Sequence, residues 1–173
     1  MHNSFLFPGQ GSQFIGMGEN LYNSYSKIRH IYDIGSEILG FDIAEISFKD
    51  SYNMLDQTRF TQPAIFINSF CIDTLLKSKK IYPSVVAGHS LGEFSALVSA
   101  GVLQFEDALN IIKIRANEMF NIGHKTPGAM AAIIGANKEK LEIICKQKGI
   151  VVPANINTSD QIVISGEIDS IND

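Results

Sequence analysis

Apolar positions along the first 124 residues follow two spacings, which predict a mixture of helices and strands. Recurrence every three or four residues is typical of helices, and short apolar runs bounded by turn residues are typical of buried strands. The expected strands are residues 4–8 and 84–88, and the expected helices are residues 20–39, 41–47, 51–60, 63–79, 91–100 and 105–121. Pro63 is expected in the first turn of its helix, where its missing N–H would have no helical partner.

Shorter elements in a different order follow residue 124. Apolar runs predict strands at residues 129–134, 150–155 and 161–165, with helical spacing at residues 138–146 and another helix beginning near Asp169. This β-α-β-β-α order is that of a ferredoxin-like unit without its last strand. We therefore expect an α/β chain in two parts, residues 1–124 and residues 125–173.

Composition and charge exclude several classes of protein. The chain has 173 residues, of which 45% are hydrophobic and 18% charged, with a net charge of −4. It has no basic stripe such as a nucleic-acid-binding protein needs. It has neither an apolar run near the ~20 residues that cross a bilayer nor a basic segment before the first apolar stretch. We expect a cytoplasmic protein that binds neither nucleic acid nor membrane.

The two cysteines, Cys71 and Cys145, lie far apart in helical patterns, without C-x-x-C or metal-ligand spacing. Both are expected to be reduced packing residues, and a disulfide between them is the alternative. The sequence predicts no metal site.

A candidate nucleophile lies at Gly88-His89-Ser90-Leu91-Gly92, between a predicted strand and a predicted helix. In that context Gly-x-Ser-x-Gly is the signature of a nucleophile elbow, a tight turn that projects the serine hydroxyl above the sheet. The N–H of Leu91, at the helix N-terminus, is the expected donor to a developing oxyanion. The alternative is that Ser90 only caps the helix.

No histidine is placed as the general base that Ser90 needs. His89 is its neighbour, but adjacent side chains on a sharp turn diverge, so His89 is expected to pack or to form a hydrogen bond elsewhere. The remaining histidines are His2 at the terminus, His30 on a helix and His124 in a loop.

Arg115 is predicted to lie close to Ser90. The helix after the elbow runs about ten residues away from Ser90, or ~15 Å, and Arg115 lies about as far along the returning helix. An arginine on an apolar helix face needs an anionic partner, and its planar fork suits a carboxylate. The alternatives are a surface arginine or a pair with Glu93 or Glu118.

Three amide side chains are weaker candidates. The glycine-flanked loop at Gln10 has a backbone that can approach a ligand closely, so its N–H is a possible second oxyanion donor. Gln62 precedes a proline at a helix start, and Asn157 follows a strand with Asn155. The alternative for Gln10 is a simple glycine turn, and the alternative for Gln62 is a helix cap or surface residue. For Asn157 the alternative is that its side chain only stabilises a turn.

Together these motifs resemble the acyl carrier protein S-malonyltransferases, in order and approximate spacing over essentially the whole chain. The matching segments are Phe7-Pro8-Gly9-Gln10-Gly11-Ser12-Gln13, Thr61-Gln62-Pro63-Ala64, Gly88-His89-Ser90-Leu91-Gly92-Glu93, Arg115, Gly128-Ala129-Met130-Ala131-Ala132, Asn155-x-Asn157 and Gln161-Ile162-Val163-Ile164-Ser165-Gly166. The resemblance implies an α/β-hydrolase-like large subdomain with an inserted ferredoxin-like small subdomain.

The resemblance also implies roles for individual residues. Ser90 would be the nucleophile, and the N–H groups of Gln10 and Leu91 would form the oxyanion hole. Arg115 would hold the malonyl carboxylate and Gln62 would line the same pocket. Asn157 would be a weaker pocket contact.

The implied reaction moves a malonyl group from malonyl-CoA to the phosphopantetheine thiol of acyl carrier protein through a seryl ester, in fatty acid biosynthesis. No cofactor is implied, and the complete protein is expected to be a monomer. The family's catalytic histidine lies beyond the point where this chain ends, so we expect a truncated chain with an incomplete large subdomain. Alternatives are an acyltransferase module of a polyketide synthase, a serine hydrolase with the same elbow, and a non-catalytic remnant.

Overall fold

The computed structural model describes residues 2–135, 138–146 and 149–172. These residues form an α/β fold with two compact units, Met1–Phe120 and Asn121–Asp173. In chain order the elements that begin in the first unit are β1 (Ser4–Phe7), α1 (Glu19–Ser24), α2 (Ser26–Leu39), α3 (Ile43–Phe48), α4 (Thr58–Ser78), β2 (Val85–Gly88), α5 (Gly92–Ser99) and α6 (Phe105–Lys125).

The two strands of the first unit position the candidate site. β1 and β2 pair in parallel, with Phe7 opposite Gly88, so the loop after β1 and the turn after β2 leave the sheet at the same end. Beyond the strands, the N–H of His89 donates to the Phe7 carbonyl over 3.0 Å. The glycine-rich loop therefore lies beside the Ser90 turn.

Helices α2, α3, α4 and α6 enclose the core of this unit, because each presents an apolar stripe at helical spacing. The largest side chains that are almost fully buried include Tyr32, Phe66, Ile112 and Leu91. Leu91 belongs to this core cluster although it lies in the Ser90 turn. Packing of the helices thus anchors the turn that carries the nucleophile candidate.

A polar cluster joins α4 to α5, the helix that follows the Ser90 turn. The Asp73 carboxylate, only 4% exposed, lies 2.7 Å from the Lys77 Nζ. Ser99 Oγ donates to Asp73 over 2.7 Å, and Lys77 donates to the Ser99 carbonyl over 2.8 Å. Because the buried carboxylate has two partners, removing either is expected to destabilise this junction.

Two predicted helical segments differ from the structure. The predicted helix over residues 20–39 breaks at Tyr25, whose extended backbone separates α1 from α2. Arg29 donates to the carbonyls of Tyr22 and Asn23 at the end of α1, which compensates for the break. Residues 51–57 form turns rather than a helix, because the Asp50 carboxylate accepts from two following backbone N–H groups and Asn53 has a φ of 53°.

The prediction for Pro63 was also wrong. The helix that contains it, α4, begins at Thr58, which places Pro63 in the second helical turn. Without an N–H, Pro63 cannot bond the carbonyl four residues earlier, that of Arg59. The helix tolerates this loss next to Gln62, one of the candidate site residues.

The second unit contains β3 (Gly128–Ile134), α7 (Lys138–Ile144), β4 (Val151–Ile156), β5 (Gln161–Glu167) and α8 (Ile168–Asn172). This is the β-α-β-β-α order that the sequence predicts. The three strands form one antiparallel sheet in the order β3-β5-β4. A small core around Leu141, Val151 and Ile164 lies on this sheet.

Both cysteines are free, so a disulfide between them is excluded in this structure. Burial raises the pKa of the Cys71 thiol to about 12, which keeps it protonated at neutral pH. Within the described residues, we find no helix with the length and hydrophobicity needed to cross a membrane.

Candidate active site

The turn between β2 and α5 has the geometry of a nucleophile elbow. Ser90 has a φ of 54°, in the left-handed region that non-glycine residues rarely adopt. The residue is exposed, while its neighbour Leu91 is 1% exposed and packed in the core. A strained residue between a buried anchor and solvent presents its hydroxyl outward, as a nucleophile must.

Two glycines make this turn sterically possible. A Cβ on Gly92 would lie 2.1 Å from the Phe7 carbonyl oxygen, and a Cβ on Gly88 would lie 2.0 Å from the Gly92 carbonyl carbon. Both distances are far below van der Waals contact, and both neighbours are backbone atoms that cannot rotate away. Glycine is therefore required at both positions because the backbone of a neighbouring segment approaches each of them closely.

Replacing Gly92 with alanine is expected to lower the free energy of unfolding by about 3 kcal/mol, because the elbow must separate from β1 to admit the methyl group. Gly123 is the matched control, because a Cβ there meets no atom within 4 Å and the residue lies in α6. Gly123→Ala should be neutral or stabilise by up to about 1 kcal/mol. Urea unfolding of the two variants measures the contrast. Equal stabilities would contradict the steric argument.

Arg115 lies beside Ser90, as the helix lengths predict. Its Nη2 donates to Ser90 Oγ over 3.1 Å, and its Nη1 donates to the Gln62 Oε1 over 2.6 Å. Gln62 is 1% exposed and lies inside α4, so the alternative of a cap or surface residue is wrong. The structure therefore brings three of the predicted site residues into one hydrogen-bonded group.

Among the described residues, no carboxylate forms a salt bridge with Arg115. Neither Glu93 nor Glu118 forms a salt bridge with it, and the described residues contain one salt bridge, between Lys77 and Asp73. The Phe94 ring lies 6.0 Å from the guanidinium carbon, at the outer limit of a cation–π contact. A half-buried guanidinium with two neutral partners is available to an anionic ligand.

The two predicted oxyanion donors lie on adjacent segments. Gly9, which precedes Gln10, packs so closely against the elbow that a Cβ would lie 2.6 Å from the His89 carbonyl oxygen. In the described part of the chain, no acceptor is found for the backbone N–H of Gln10 or of Leu91. One of these N–H groups lies in the serine turn and the other in the loop that packs against that turn, and donors without an intramolecular acceptor are what an oxyanion hole needs.

His89 and Asn157 have other surroundings. The His89 Nδ1 faces the Cα of Gly9, since a Cβ built there would lie 3.0 Å from it. Asn157 belongs to the second unit, where its amide donates to the Gln161 Oε1 over 2.8 Å. The predicted role of Asn157 as a pocket contact stays a prediction.

Sequence reasoning missed the side chains that hold the amides in place. The Gln62 Nε2 donates to the Met119 Sδ over 3.3 Å and to the Gln10 Oε1 over 3.5 Å. The Gln10 Nε2 donates to the Thr58 Oγ1 over 3.1 Å. No spacing signal could have found Thr58, because it lies 48 residues from Gln10.

Comparison with known proteins gives consistent matches along the chain. Residues 4–173 match the family described as acyl transferase domain. A malonyl CoA-acyl carrier protein transacylase of Staphylococcus aureus strain MRSA252 is 41% identical over 167 residues, which cover 94% of this chain and 54% of that protein. The chain thus spans about half the length of the curated relatives it matches.

Solved structures agree. The crystal structure of MCAT from Streptococcus pneumoniae has 40% identity and a TM-score of 0.88, over 98% of this chain and 56% of that one. A type II polyketide synthase acyl-carrier protein in complex with its malonyl-transacylase matches at 36% identity and a TM-score of 0.89, over 99% of this chain and 57% of that one. The matched length, the identities and the elbow geometry lead to one conclusion: this chain belongs to the acyl transferase domain family.

Proposed function

We propose that the whole protein transfers a malonyl group from malonyl-CoA to the phosphopantetheine thiol of an acyl carrier protein, as a step of fatty acid biosynthesis. One observation carries the proposal. The Arg115 guanidinium bridges Ser90 Oγ and the Gln62 Oε1 without a carboxylate partner among the described residues. A nucleophile beside an unmatched planar cation suits a thioester whose acyl group ends in a carboxylate.

The relatives support this choice of substrate and acceptor. The S. aureus relative is named a malonyl CoA-acyl carrier protein transacylase, and a solved relative is a malonyl-transacylase in complex with a carrier protein. Both substrates of the proposed reaction are named there. Malonyl-CoA and acyl carrier protein are therefore the proposed partners, with no cofactor, nucleic acid or membrane required.

The proposed reaction has two half-reactions that share one serine. In the first, Ser90 Oγ attacks the thioester carbonyl carbon, the hydroxyl proton passes to a general base, and the C–S bond breaks. The CoA thiolate takes that proton and leaves as a thiol. In the second, the carrier thiol gives its proton to the base and attacks the seryl ester, and Ser90 regains a proton. The resemblance implies a histidine outside these 173 residues as the base.

The chain's own residues supply the remaining functions. The N–H groups of Gln10 and Leu91 are proposed to stabilise the oxyanion in both half-reactions. Arg115 binds the malonyl carboxylate and Gln62 orients the guanidinium. Asn157 is proposed as a weaker contact in the same pocket.

We further propose that residues 1–124 belong to an α/β-hydrolase-like subdomain and residues 125–173 to a ferredoxin-like one. The parallel β1–β2 pair followed by the elbow supports the first. The antiparallel order β3-β5-β4 with α7 between β3 and β4 supports the second. The complete protein is proposed to be a monomer in the cytoplasm. Free thiols such as that of Cys71 stay reduced in that compartment.

The test uses the full-length protein with malonyl-CoA and a phosphopantetheinylated carrier protein. The expected result is a carrier whose mass rises by one malonyl group, with release of CoA thiol in equal amount. Acetyl-CoA should be a much poorer donor. Hydrolysis of simple esters without any transfer to the carrier would replace this proposal with a serine hydrolase.

A further inference from the structure

The loop that carries Gln10 is held almost entirely by side chains. This loop, residues 9–13, follows β1 and is called the glutamine loop below. Within the described residues, none of its five members forms a backbone–backbone hydrogen bond to another segment of the chain. An exposed loop without such bonds samples many conformations unless other contacts hold it.

Both glutamines of the loop are bonded to one short segment. The Gln10 Nε2 donates to the Thr58 Oγ1 over 3.1 Å, and the Gln13 Nε2 donates to the Asp56 Oδ1 over 2.9 Å. Asp56 lies in the turn before α4, and Thr58 is the first residue of that helix. Since α4 is anchored in the core, this segment is a rigid support for the loop.

The other end of each glutamine amide is also engaged. The Gln13 Oε1 accepts from the Gly11 N–H over 2.8 Å, and the Gln10 Oε1 accepts from Gln62 over 3.5 Å. Ser12 Oγ closes the loop by donating to the Gly9 carbonyl over 2.8 Å. With both ends bonded, neither amide can rotate without breaking a contact.

These contacts restrain the loop whose backbone N–H at Gln10 is the proposed oxyanion donor. Catalytic hydrogen bonds to an oxyanion require donors at 2.7–3.1 Å, and a displacement of about 1 Å can cost about a hundredfold in rate. The loop rests on the elbow at Gly9, but that contact restrains only its first residue. The remaining restraint from outside the loop comes from Gln62 and from the segment at residues 56–58.

We propose that Asp56 and Thr58 are positioning residues that hold the oxyanion donor of Gln10 in place. The inference rests on the proposed function, in which Gln10 supplies that donor. Neither residue forms a hydrogen bond or ion pair with Ser90 or Arg115 in this structure, so their effect is on rate rather than on recognition of the acyl carboxylate.

The test compares four variants of the full-length protein. Thr58→Val removes the hydroxyl acceptor at nearly constant shape, and Thr58→Ser keeps it. Asp56→Ala removes the carboxylate, and Asp56→Asn keeps the Oδ1 acceptor while removing the charge. The glutamine contacts predict that Thr58→Val and Asp56→Ala are defective and that Thr58→Ser and Asp56→Asn keep their function.

The expected result is a fall in kcat of about tenfold or more for Thr58→Val and for Asp56→Ala, in both half-reactions. The KM for malonyl-CoA, the malonyl over acetyl preference and the thermal midpoint should stay close to wild type. Thr58→Ser and Asp56→Asn should stay within about twofold of wild type in kcat. A residue that acted only through stability would instead lower the thermal midpoint.

Two outcomes would overturn the inference. One is a Thr58→Val, Asp56→Ala double variant with kcat within twofold of wild type. The other is a changed KM or acyl preference with an unchanged kcat, which would make this segment part of substrate binding. If the wild-type protein hydrolyses esters and transfers nothing, the proposed function has failed; the same variants are then compared on a phenyl ester, since an oxyanion hole serves hydrolysis as well.

Discussion

Replacing Ser90 with alanine in the full-length protein is expected to lower malonyl transfer at least about a thousandfold. The serine oxygen is the atom that carries the acyl group between the two thiols, so its loss removes the covalent intermediate and not merely one hydrogen bond. The remaining groups, the two N–H donors and Arg115, can still bind the substrate.

The structure indicates that this variant will fold. Ser90 is exposed, and alanine at a φ of 54° has nearly the same backbone strain as serine. Arg115 loses one contact but keeps its 2.6 Å bond to Gln62. We therefore expect an unchanged thermal midpoint and a dissociation constant for malonyl-CoA within severalfold of wild type.

Mass spectrometry of peptides from the wild-type protein after exposure to malonyl-CoA is the decisive measurement. The added malonyl mass should lie on the peptide that contains Ser90 and should be absent from Ser90→Ala. Ser90→Cys is the matched control, because a thiol at the same place can still accept the acyl group. Malonyl label on a peptide without residue 90 would show that the nucleophile is elsewhere.

The second large effect concerns acyl selectivity. Arg115→Ala is expected to reduce the preference for malonyl-CoA over acetyl-CoA at least about thirtyfold. Losing one partner of a hydrogen-bonded charge pair typically costs about 2–5 kcal/mol, and 2 kcal/mol corresponds to about thirtyfold. The lower end applies here because Arg115 is only half-buried.

Two further substitutions separate charge from shape. Arg115→Lys keeps the cation but has no fork that can bridge Ser90 and Gln62, so it should retain only part of the preference. Arg29→Ala is the control, because Arg29 is an exposed arginine whose bonds go to the carbonyls of Tyr22 and Asn23. The ratio of kcat/KM for the two thioesters is the quantity to measure. An unchanged ratio in Arg115→Ala would refute the carboxylate-binding role.

Local sequence was sufficient where one segment specifies its own backbone. The elbow needs an apolar strand, two glycines and a helix start, and all of these lie between residues 85 and 99. The approach of Arg115 to Ser90 followed from the lengths of two consecutive helices. Such predictions succeed because helix rise and strand reach are constants of the backbone.

Local sequence was insufficient where a pattern suited two conformations. Residues 20–39 have helical spacing throughout, yet the helix breaks at Tyr25, since periodicity does not reveal a change of axis. Residues 51–57 include apolar positions, but the Asp50 carboxylate binds the backbone N–H groups that a helix would use. At Asp50 a side-chain-to-backbone contact competes with helix formation.

Sequence patterns were enough to predict the nucleophile candidate, the strands, and an arginine at the right distance from the serine. The side chains that complete the site are known only from the folded chain: Gln62 is the hydrogen-bond partner of Arg115, and Thr58 and Asp56 hold the glutamine loop. These partners lie 53, 48 and 43 residues apart in the chain. Spacing rules describe neighbours within one helix or strand, whereas contacts at such separations exist only after the core has packed α4 against the elements that carry the site.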